Sequence, residues 1–518
     1  MAKRNWSRAA VLIGLLLPAF VLACFHLDLP SLGVYHDDGI YLVTGKAIAD
    51  GKAYRLESLP DEGWQTKYPP VFPLALAAVW KLAPRFPANL PGFLIVAWLA
   101  VPALLVVFLR TLGRLGFSTA EQVVACLGVL VYPDVLPFSV SLMADLWFTC
   151  AVLLVLLLAE RAGEEGNWRL AAAAGVVAGL AYLTKSSGLV LLASVPGVLL
   201  LRRRWRPALA FCLVFAPVIA AWSGWAALHA RPITDYNDIF YSSYLREFLH
   251  NTVPSELLAR LPHRLDEYLQ RLGGAFVPAS LAPNGLNWLR RLVSVIGIAG
   301  VVGLVRAGRA RQYAAFAALY AIEMCVWPSA LFSRYVLPVF PLWMAGFVAI
   351  FRSLGERESA QSVSRFLQPL TTGVLVFLYL LQTLTGIRGA TVFREQRRQL
   401  EPAYEWIARN VPADVSLTAF RDPVVYLYTG RHTEGVHAST AGSATGEAIS
   451  RRLNLGEFCR RRGHAYLLLS PRDPEYSDRP TRTEISAALQ KDPEVRLVYS
   501  ADKVAIYRVS ATAVSTLR

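Results

Sequence analysis

The sequence predicts a mainly α-helical protein, a polytopic transmembrane bundle of about eleven spans with a small extracytoplasmic α/β domain at its C-terminal end. Three observations predict it. Of the 518 residues, 55% are hydrophobic and only 17% charged, where soluble domains carry about 25% charged residues, and mean hydropathy is +0.40. Apolar runs near span length recur from the N-terminus to about Ile387. From Arg388 onward the pattern changes to short alternating segments separated by turns.

The spans are read as Ala9–Leu27, Pro91–Leu109, Ala120–Pro137, Leu142–Ala159, Trp168–Thr184, Ser187–Leu201, Pro207–Leu228, Trp288–Val305, Gln312–Pro328, Tyr335–Phe351 and Leu370–Ile387. Lys3, Arg4 and Arg8 ahead of the first run resemble a signal peptide. A chain that re-enters the bilayer repeatedly needs no cleavable leader, so this run is read as an uncleaved span. Pro70–Leu82 is left out. It is about a dozen residues long, opens at Pro69-Pro70 and carries Lys81, which suits an interfacial or re-entrant helix.

Charge decides that count. With Pro70–Leu82 outside the bilayer core, Arg110/Arg114, Arg202–Arg204 with Arg206, Arg306/Arg309/Arg311 and Arg352/Arg357/Arg365 all fall in cytoplasmic loops. The N-terminus is then cytoplasmic and the C-terminal domain extracytoplasmic. The net charge of +15 is explained by this bias, and nucleic-acid binding is excluded.

The expected organisation is a transmembrane domain over 1–387, with a first outer loop 28–90 and a large outer loop 229–287, then an α/β domain over 388–518. The large loop mixes Tyr236, Phe240, Tyr241, Tyr244 and Arg246 with Pro232, Pro254, Pro262, Gly273-Gly274 and Pro283, and reads as a partly helical lid. In the tail, Tyr404–Asn410 reads as a helix and Val415–Ala419, Ala465–Ser470 and Arg496–Ser500 as strands. Val504–Val509 pairs back across Ala501-Asp502. No repeat and no low-complexity linker is present. The six cysteines form no C-x-x-C pair, so neither a disulfide framework nor a thiolate metal site is indicated. His432, His437 and His464 lack metal-ligand spacing and read as surface histidines, so no metal ligand is assigned.

Three groups of residues carry chemistry. Asp37 and Asp38 stand in Val34-Tyr35-His36-Asp37-Asp38-Gly39-Ile40-Tyr41, about ten residues past the first span. They suit either a helix N-cap on a solvated loop or a partly desolvated base at the membrane surface. Asp145 lies within an apolar run at the outer end of a span; an acid there is a functional candidate by default, or else an interfacial residue in headgroup water. Lys67, Lys185, Arg290, Arg291 and Arg334 lie on the outer side, where topology does not require cations. Lys67 precedes Tyr68-Pro69-Pro70, Lys185 sits in the tight turn Thr184-Lys185-Ser186-Ser187, and Arg334 opens Ser333-Arg334-Tyr335-Val336-Leu337-Pro338. Such cations suit a lipid phosphate, although each alone is also explained by snorkelling to headgroups. Trp64, Tyr68 and Tyr241 are possible ring-stacking groups that nothing in the sequence singles out.

Taken in order, Asp37-Asp38-Gly39-Ile40-Tyr41, Lys67-Tyr68-Pro69-Pro70, Met143-Ala144-Asp145 and Ser333-Arg334-Tyr335-Val336-Leu337-Pro338 resemble the GT-C superfamily of integral-membrane glycosyltransferases. The nearest kin by resemblance are bacterial relatives of the dolichyl-phosphate-mannose protein mannosyltransferases (family 39) and of the lipid A aminoarabinose transferases. The resemblance covers roughly residues 9–350. It implies a plasma-membrane enzyme that takes a sugar from a polyprenyl-phosphate donor on the outer face and transfers it, with inversion, to a lipid, glycan or protein acceptor. It implies Asp37 as the catalytic base, Asp38 and Asp145 as the associated acids, and Lys67 as a donor-phosphate ligand; Lys185 and Arg334 are assigned to the donor phosphate by their charge and position. Tyr41, Tyr68 and Tyr335 lie in the same motifs and are weaker substrate-lining candidates. The chain departs from the superfamily pattern in having Asp38 where Glu is common and Lys185 where Arg is common; both keep the charge.

The chemistry is consistent with that reading. One base and one displacement opposite the leaving group invert an anomeric centre, and a departing phosphate needs cations rather than an acid. A divalent cation is left open for want of a clear ligand set. Two other readings compete: a ligase or polymerase acting on lipid-linked oligosaccharides, and a membrane lipid or sugar transporter. The second normally brings repeats and midplane charges, and the sequence has neither.

Overall fold

The computed structural model describes residues 2–252, 254–277, 286–328, 331–356, 361–437, 454–470, 473 and 482–510. Pro283 and Arg357 lie outside them. The chain divides into two compact units. One comprises Met1–Leu27, Leu94–Trp225 and Val253–Ile387; the other comprises Asp28–Phe93, Ala226–Thr252 and Arg388–Arg518.

The first unit is helical, as the apolar runs require. Helices Leu90–Arg114, Asp145–Glu165, Trp205–Leu228, Asn287–Arg306 and Pro369–Asn410 are long and apolar enough to cross a membrane; the first, third and last of these pass into the second unit. Shorter apolar helices include Thr119–Leu130, Trp168–Thr184 and Phe340–Gly355. Leu213, Leu384 and Phe377 are each more than 60% exposed. Large apolar side chains left outside on apolar helices mark a lipid-facing surface, and the protein is a multi-pass membrane protein.

Where two of these helices pack, small residues set the distance. A Cβ on Gly300 would lie 1.9 Å from the Gly346 carbonyl oxygen, and one on Gly297 would meet the Trp343 ring at 2.3 Å. Helices Asn287–Arg306 and Phe340–Gly355 therefore touch backbone to backbone, the small-residue packing that operates where lipid supplies no hydrophobic drive. The arginine clusters gather at one end of this unit. Arg202 pairs with Glu160 and Arg114 with Glu164. Arg352 pairs with Glu121 at 2.7 Å and Arg309 donates to the Leu115 carbonyl at 2.8 Å. Asp145 starts the 21-residue helix that ends at Glu165, so it lies about 30 Å away along that axis.

Several span boundaries shift, the start at Phe340 in place of Tyr335 among them, and two others lie on either side of Asp134. The run read as Ala120–Pro137 is helical only to Leu130, capped at its start by a Ser118/Glu121 capping box. Tyr132–Asp134 form a turn before the short helix Val135–Ser139. The run read from Leu142 is helical only from Asp145. In both cases the apolar composition continues through a break in the helix, which in the first case carries Pro133.

The second unit is α/β. Asp37–Ala49 and Val71–Leu82 are helices packed closely together. A Cβ on Gly45 would sit 3.0 Å from the Pro73 carbonyl oxygen. At 12 residues the second is about 18 Å long, too short to cross a bilayer core. Residues 226–252 add the short helices Tyr236–Phe240 and Tyr244–Asn251. The tail forms a five-stranded sheet of β1 (Leu417–Ala419), β2 (Thr433–Glu434), β3 (Tyr466–Leu469), β4 (Val495–Ala501) and β5 (Val504–Val509), in the order β2-β1-β3-β5-β4. The β4–β5 hairpin is antiparallel, as the alternating pattern predicts, while β1 runs parallel to β2 and β3. Two-residue β2 is too short to leave a periodic signal. Tyr404–Asn410 is the end of one continuous helix, Gln361–Asn410, whose Leu400, Ala403 and Ile407 pack on β1, β3 and β5 through Leu417, Leu468 and Ile506.

Candidate functional site

In the second unit, chemistry collects where Asp37–Ala49 begins. The N-cap is His36, with φ +58° and no side-chain cap. Asp37 and Asp38 therefore do not cap the helix but occupy its first turn, where the helix dipole favours negative charge. The structure separates the two acids. Asp38 is fully buried and spends its oxygens on backbone: it accepts from Gly33 N–H at 2.9 Å and from Gly39 N–H at 2.7 Å. Burial pushes its pKa up to about 6, against those two hydrogen bonds. Asp37 is half-buried and accepts the Tyr68 hydroxyl proton at 2.7 Å. Burial, reinforced by the Asp37 charge, holds the Tyr68 phenol well above its ordinary pKa, so it stays a donor.

Tyr41 is buried and packs edge-on against Tyr68 and Phe72 with ring centres 5.2 and 5.1 Å apart. It supports Tyr68 as a packing residue. Lys67 is 4% exposed. Its ammonium pairs with Glu247 at 2.9 Å, donates to the Phe240 carbonyl at 2.8 Å and lies 4.2 Å from the Phe240 ring centre. Trp64 lies beneath Arg55 at 3.9 Å, and Tyr241 is buried with its hydroxyl donating to Asp422 at 3.1 Å.

Around the same turn stand groups that the sequence reading did not assign. His36 Nε2 lies 2.7 Å from Asp422 Oδ1. His437 Nε2 lies 3.0 Å from the Tyr241 hydroxyl, and its ring stacks on Phe240 at 3.4 Å. Burial lowers the His36 pKa, but the Asp422 carboxylate outweighs it and the net shift is upward. Burial raises that of Asp422. The ligand atoms of His36, Asp422 and His437 lie within 4.8 Å of one another. His437 is thus not a plain surface histidine. Nor is His464, which is 2% exposed and bonded to Thr418 at 2.7 Å. Chain spacing hid both, because their partners lie far away in sequence.

In the first unit a second cluster brings together the other site residues. Asp145 is buried and pairs with Lys185, which caps the short 3-10 turn Ser186–Val190. The Lys185 ammonium lies 5.3 Å from the Tyr335 ring centre, and the Arg334 guanidinium lies 5.2 Å from the same ring. Two cations close to one aromatic ring make a positive site suited to an anion. The loop that carries Arg334 is held by Tyr132, which donates to the Ser333 carbonyl at 2.8 Å. Asp134 and Glu323, hidden from sequence reading inside apolar runs, lie within electrostatic reach of Arg334 and Lys185 respectively. Arg290 and Arg291 are engaged elsewhere, with the Val277 carbonyl at 2.9 Å and with Asp266.

Comparison with known proteins identifies the fold and the family. No curated protein sequence matches significantly. The fold is similar to that of ArnT from Cupriavidus metallidurans bound to undecaprenyl phosphate, at TM-score 0.55 and 14% identity, over 96% of this chain and 98% of that one. It is also similar to the Archaeoglobus fulgidus oligosaccharyltransferase, at TM-score 0.50 and 12% identity, over 87% of this chain and 67% of that one. The arabinofuranosyltransferase AftD from Mycobacteria aligns at TM-score 0.50 and 16% identity, over 96% of this chain and 41% of that one. All three are membrane glycosyltransferases of the GT-C fold. Residues 66–334 match Glycosyltransferase family 87, and the chain belongs to that family within the GT-C superfamily.

Proposed function

We propose that the enzyme transfers a sugar from a polyprenyl-phosphate donor to an acceptor hydroxyl on the outer face of the membrane, with inversion at the anomeric carbon. The observation that carries this reading is the half-buried Asp37 carboxylate at a helix N-terminus, oriented by Tyr68 at 2.7 Å. The family membership supplies the reaction class, and the undecaprenyl phosphate bound to the similarly folded ArnT supports the donor class.

In the proposed step, Asp37 takes the proton of the acceptor hydroxyl as its oxygen bonds to the anomeric carbon. The anomeric carbon–phosphate oxygen bond breaks on the opposite face, and the electron pair leaves with the polyprenyl phosphate. Cations neutralise the departing charge. That role is assigned to Lys185 and Arg334. Asp145 holds Lys185 in place, and Asp38 fixes the turn that carries Asp37. Lys67 is assigned to the donor phosphate as well, with its ammonium paired to Glu247. The arginine clusters at one end of the helical unit support a cytoplasmic N-terminus and an extracytoplasmic tail.

The test is a transfer assay on purified protein, offering a panel of polyprenyl-phosphate monosaccharides beside nucleotide sugars, with wild type and Asp37→Asn compared. Consumption of a lipid-linked donor by wild type alone is expected. Turnover by Asp37→Asn near the wild-type rate removes Asp37 as the base; consumption of nucleotide sugars alone removes the donor class.

A further inference from the structure

We propose that His36, Asp422 and His437 form a binding site for one divalent transition-metal ion, Zn²⁺ being the ion that the donor set suits best. Two imidazoles and one carboxylate are a common first-row metal set, and Zn²⁺ accepts both at about 2.0–2.2 Å with a fourth position for water or another oxygen. The three residues present ligand atoms within 4.8 Å of one another, so small side-chain rotations bring them to the separations of a tetrahedral site.

Four further features favour a built site over a chance meeting of polar groups. Asp422 is fully buried, and a buried carboxylate is costly unless cations compensate it. The Tyr241 hydroxyl donates to Asp422 Oδ2 at 3.1 Å and so orients the carboxylate, as partners of metal ligands do. Phe240 fixes the plane of the His437 ring by stacking at 3.4 Å with 10° between the planes. Nδ1 of His36 is buried with no hydrogen-bond partner among the described residues, a polar atom whose burial is unfavourable until something coordinates it.

The ligands come from the first outer loop and from two places in the tail, so the ion ties these segments together. His36 itself has φ +58°, a left-handed conformation that is uncommon outside glycine and persists only where the surroundings hold it. The ion supplies part of that hold, and it does so one residue before Asp37. Its role is structural, with its effect felt at the proposed base.

The site is tested on the full-length chain in detergent, stripped with EDTA and equilibrated with Zn²⁺. Metal is counted by mass spectrometry, and Co²⁺ substitution is followed by visible absorption. Wild type and the control variant His250→Gln are expected to hold about one ion per chain and to show tetrahedral Co²⁺ bands. His437→Gln and His36→Gln are expected to bind at least tenfold more weakly and to lose those bands, while eluting as wild type on size exclusion. Should one variant fail to fold, the other decides together with the wild-type stoichiometry. The site is overturned if wild type holds under a tenth of an equivalent, or if the folded variants bind like wild type. No sugar donor enters the measurement, so its result is independent of the proposed transfer reaction.

Discussion

Tyr68 donates its hydroxyl proton to Oδ1 of Asp37 at 2.7 Å, and this bond distinguishes Asp37 from its neighbour, whose oxygens are taken by backbone amides. A charge-assisted hydrogen bond of this kind contributes about 1.5–3 kcal/mol. Tyr68→Phe is expected to lower kcat by about 10- to 100-fold with little change in the donor KM. An unchanged kcat would make Tyr68 a packing residue only.

Lys185 pairs with buried Asp145, so its removal has two effects. Lys185→Ala is expected to raise the donor KM at least tenfold and also to destabilise the protein by about 3–5 kcal/mol, because the carboxylate is left unpaired. Lys185→Arg keeps the charge and is expected to stay within a few-fold of wild type in both respects. The two effects separate in Lys185→Gln/Asp145→Asn, where stability returns and donor affinity does not. Recovery of affinity in that double variant would remove Lys185 from phosphate recognition.

Lys67 and Glu247 form a buried pair at 2.9 Å. Lys67→Ala is expected to cost about 3–5 kcal/mol of stability, most of it recovered in Lys67→Met/Glu247→Gln. If Lys67 also contacts the donor, the stable double variant shows a raised donor KM; an unaltered KM would leave Lys67 with a purely structural role.

The turn before Asp37 is closed by Gly33, at φ +87°, where a Cβ would lie 2.8 Å from Val424 Cγ2. Gly33→Ala suffers both a disfavoured conformation and this overlap, and is expected to lose about 1–3 kcal/mol. Thermal unfolding of the detergent-purified protein reads this directly, and a melting temperature within 1 °C or so of wild type would contradict it.

Sidedness is open to cysteine labelling. Gly435 is a poor reporter position, since a Cβ there would crowd Asp422 Oδ1 at 2.7 Å and the Tyr241 hydroxyl at 2.8 Å. Lys491 is exposed at a helix end. Lys491→Cys in a background lacking native cysteines is expected to react with an impermeant maleimide in intact cells. Reaction only after permeabilisation would reverse the proposed orientation.

The helical architecture was legible because apolar composition and charge placement act locally, and so was the β4–β5 hairpin across Ala501-Asp502. Asp37, Lys67, Asp145, Lys185 and Arg334 were also legible as charges where neither topology nor solubility requires them. What sequence did not reveal is pairing at long range. Lys67 meets Glu247 and the carbonyl of Phe240, 173 positions away, and His36 meets Asp422, 386 positions away. Neither pair leaves a local signature. Asp38 looked equivalent to Asp37 because adjacent helical residues point in different directions, one toward the Gly33 turn and one toward Tyr68, and no periodicity in so short a motif reveals which. Asp134 was hidden because the apolar run continues past the end of its helix.

The close fit of Gly33 and Gly39 against Val424 and Pro423 also sets an order of events during synthesis. The turn carrying Asp37 leaves the ribosome early, whereas the residues that press on it follow almost 400 positions later. At bacterial or eukaryotic elongation rates that interval is on the order of 20–80 s. A nascent chain inserted up to its last span would carry the acid without the surface that shapes its turn. The turn would therefore take its final shape only after the segment around Val424 has been made.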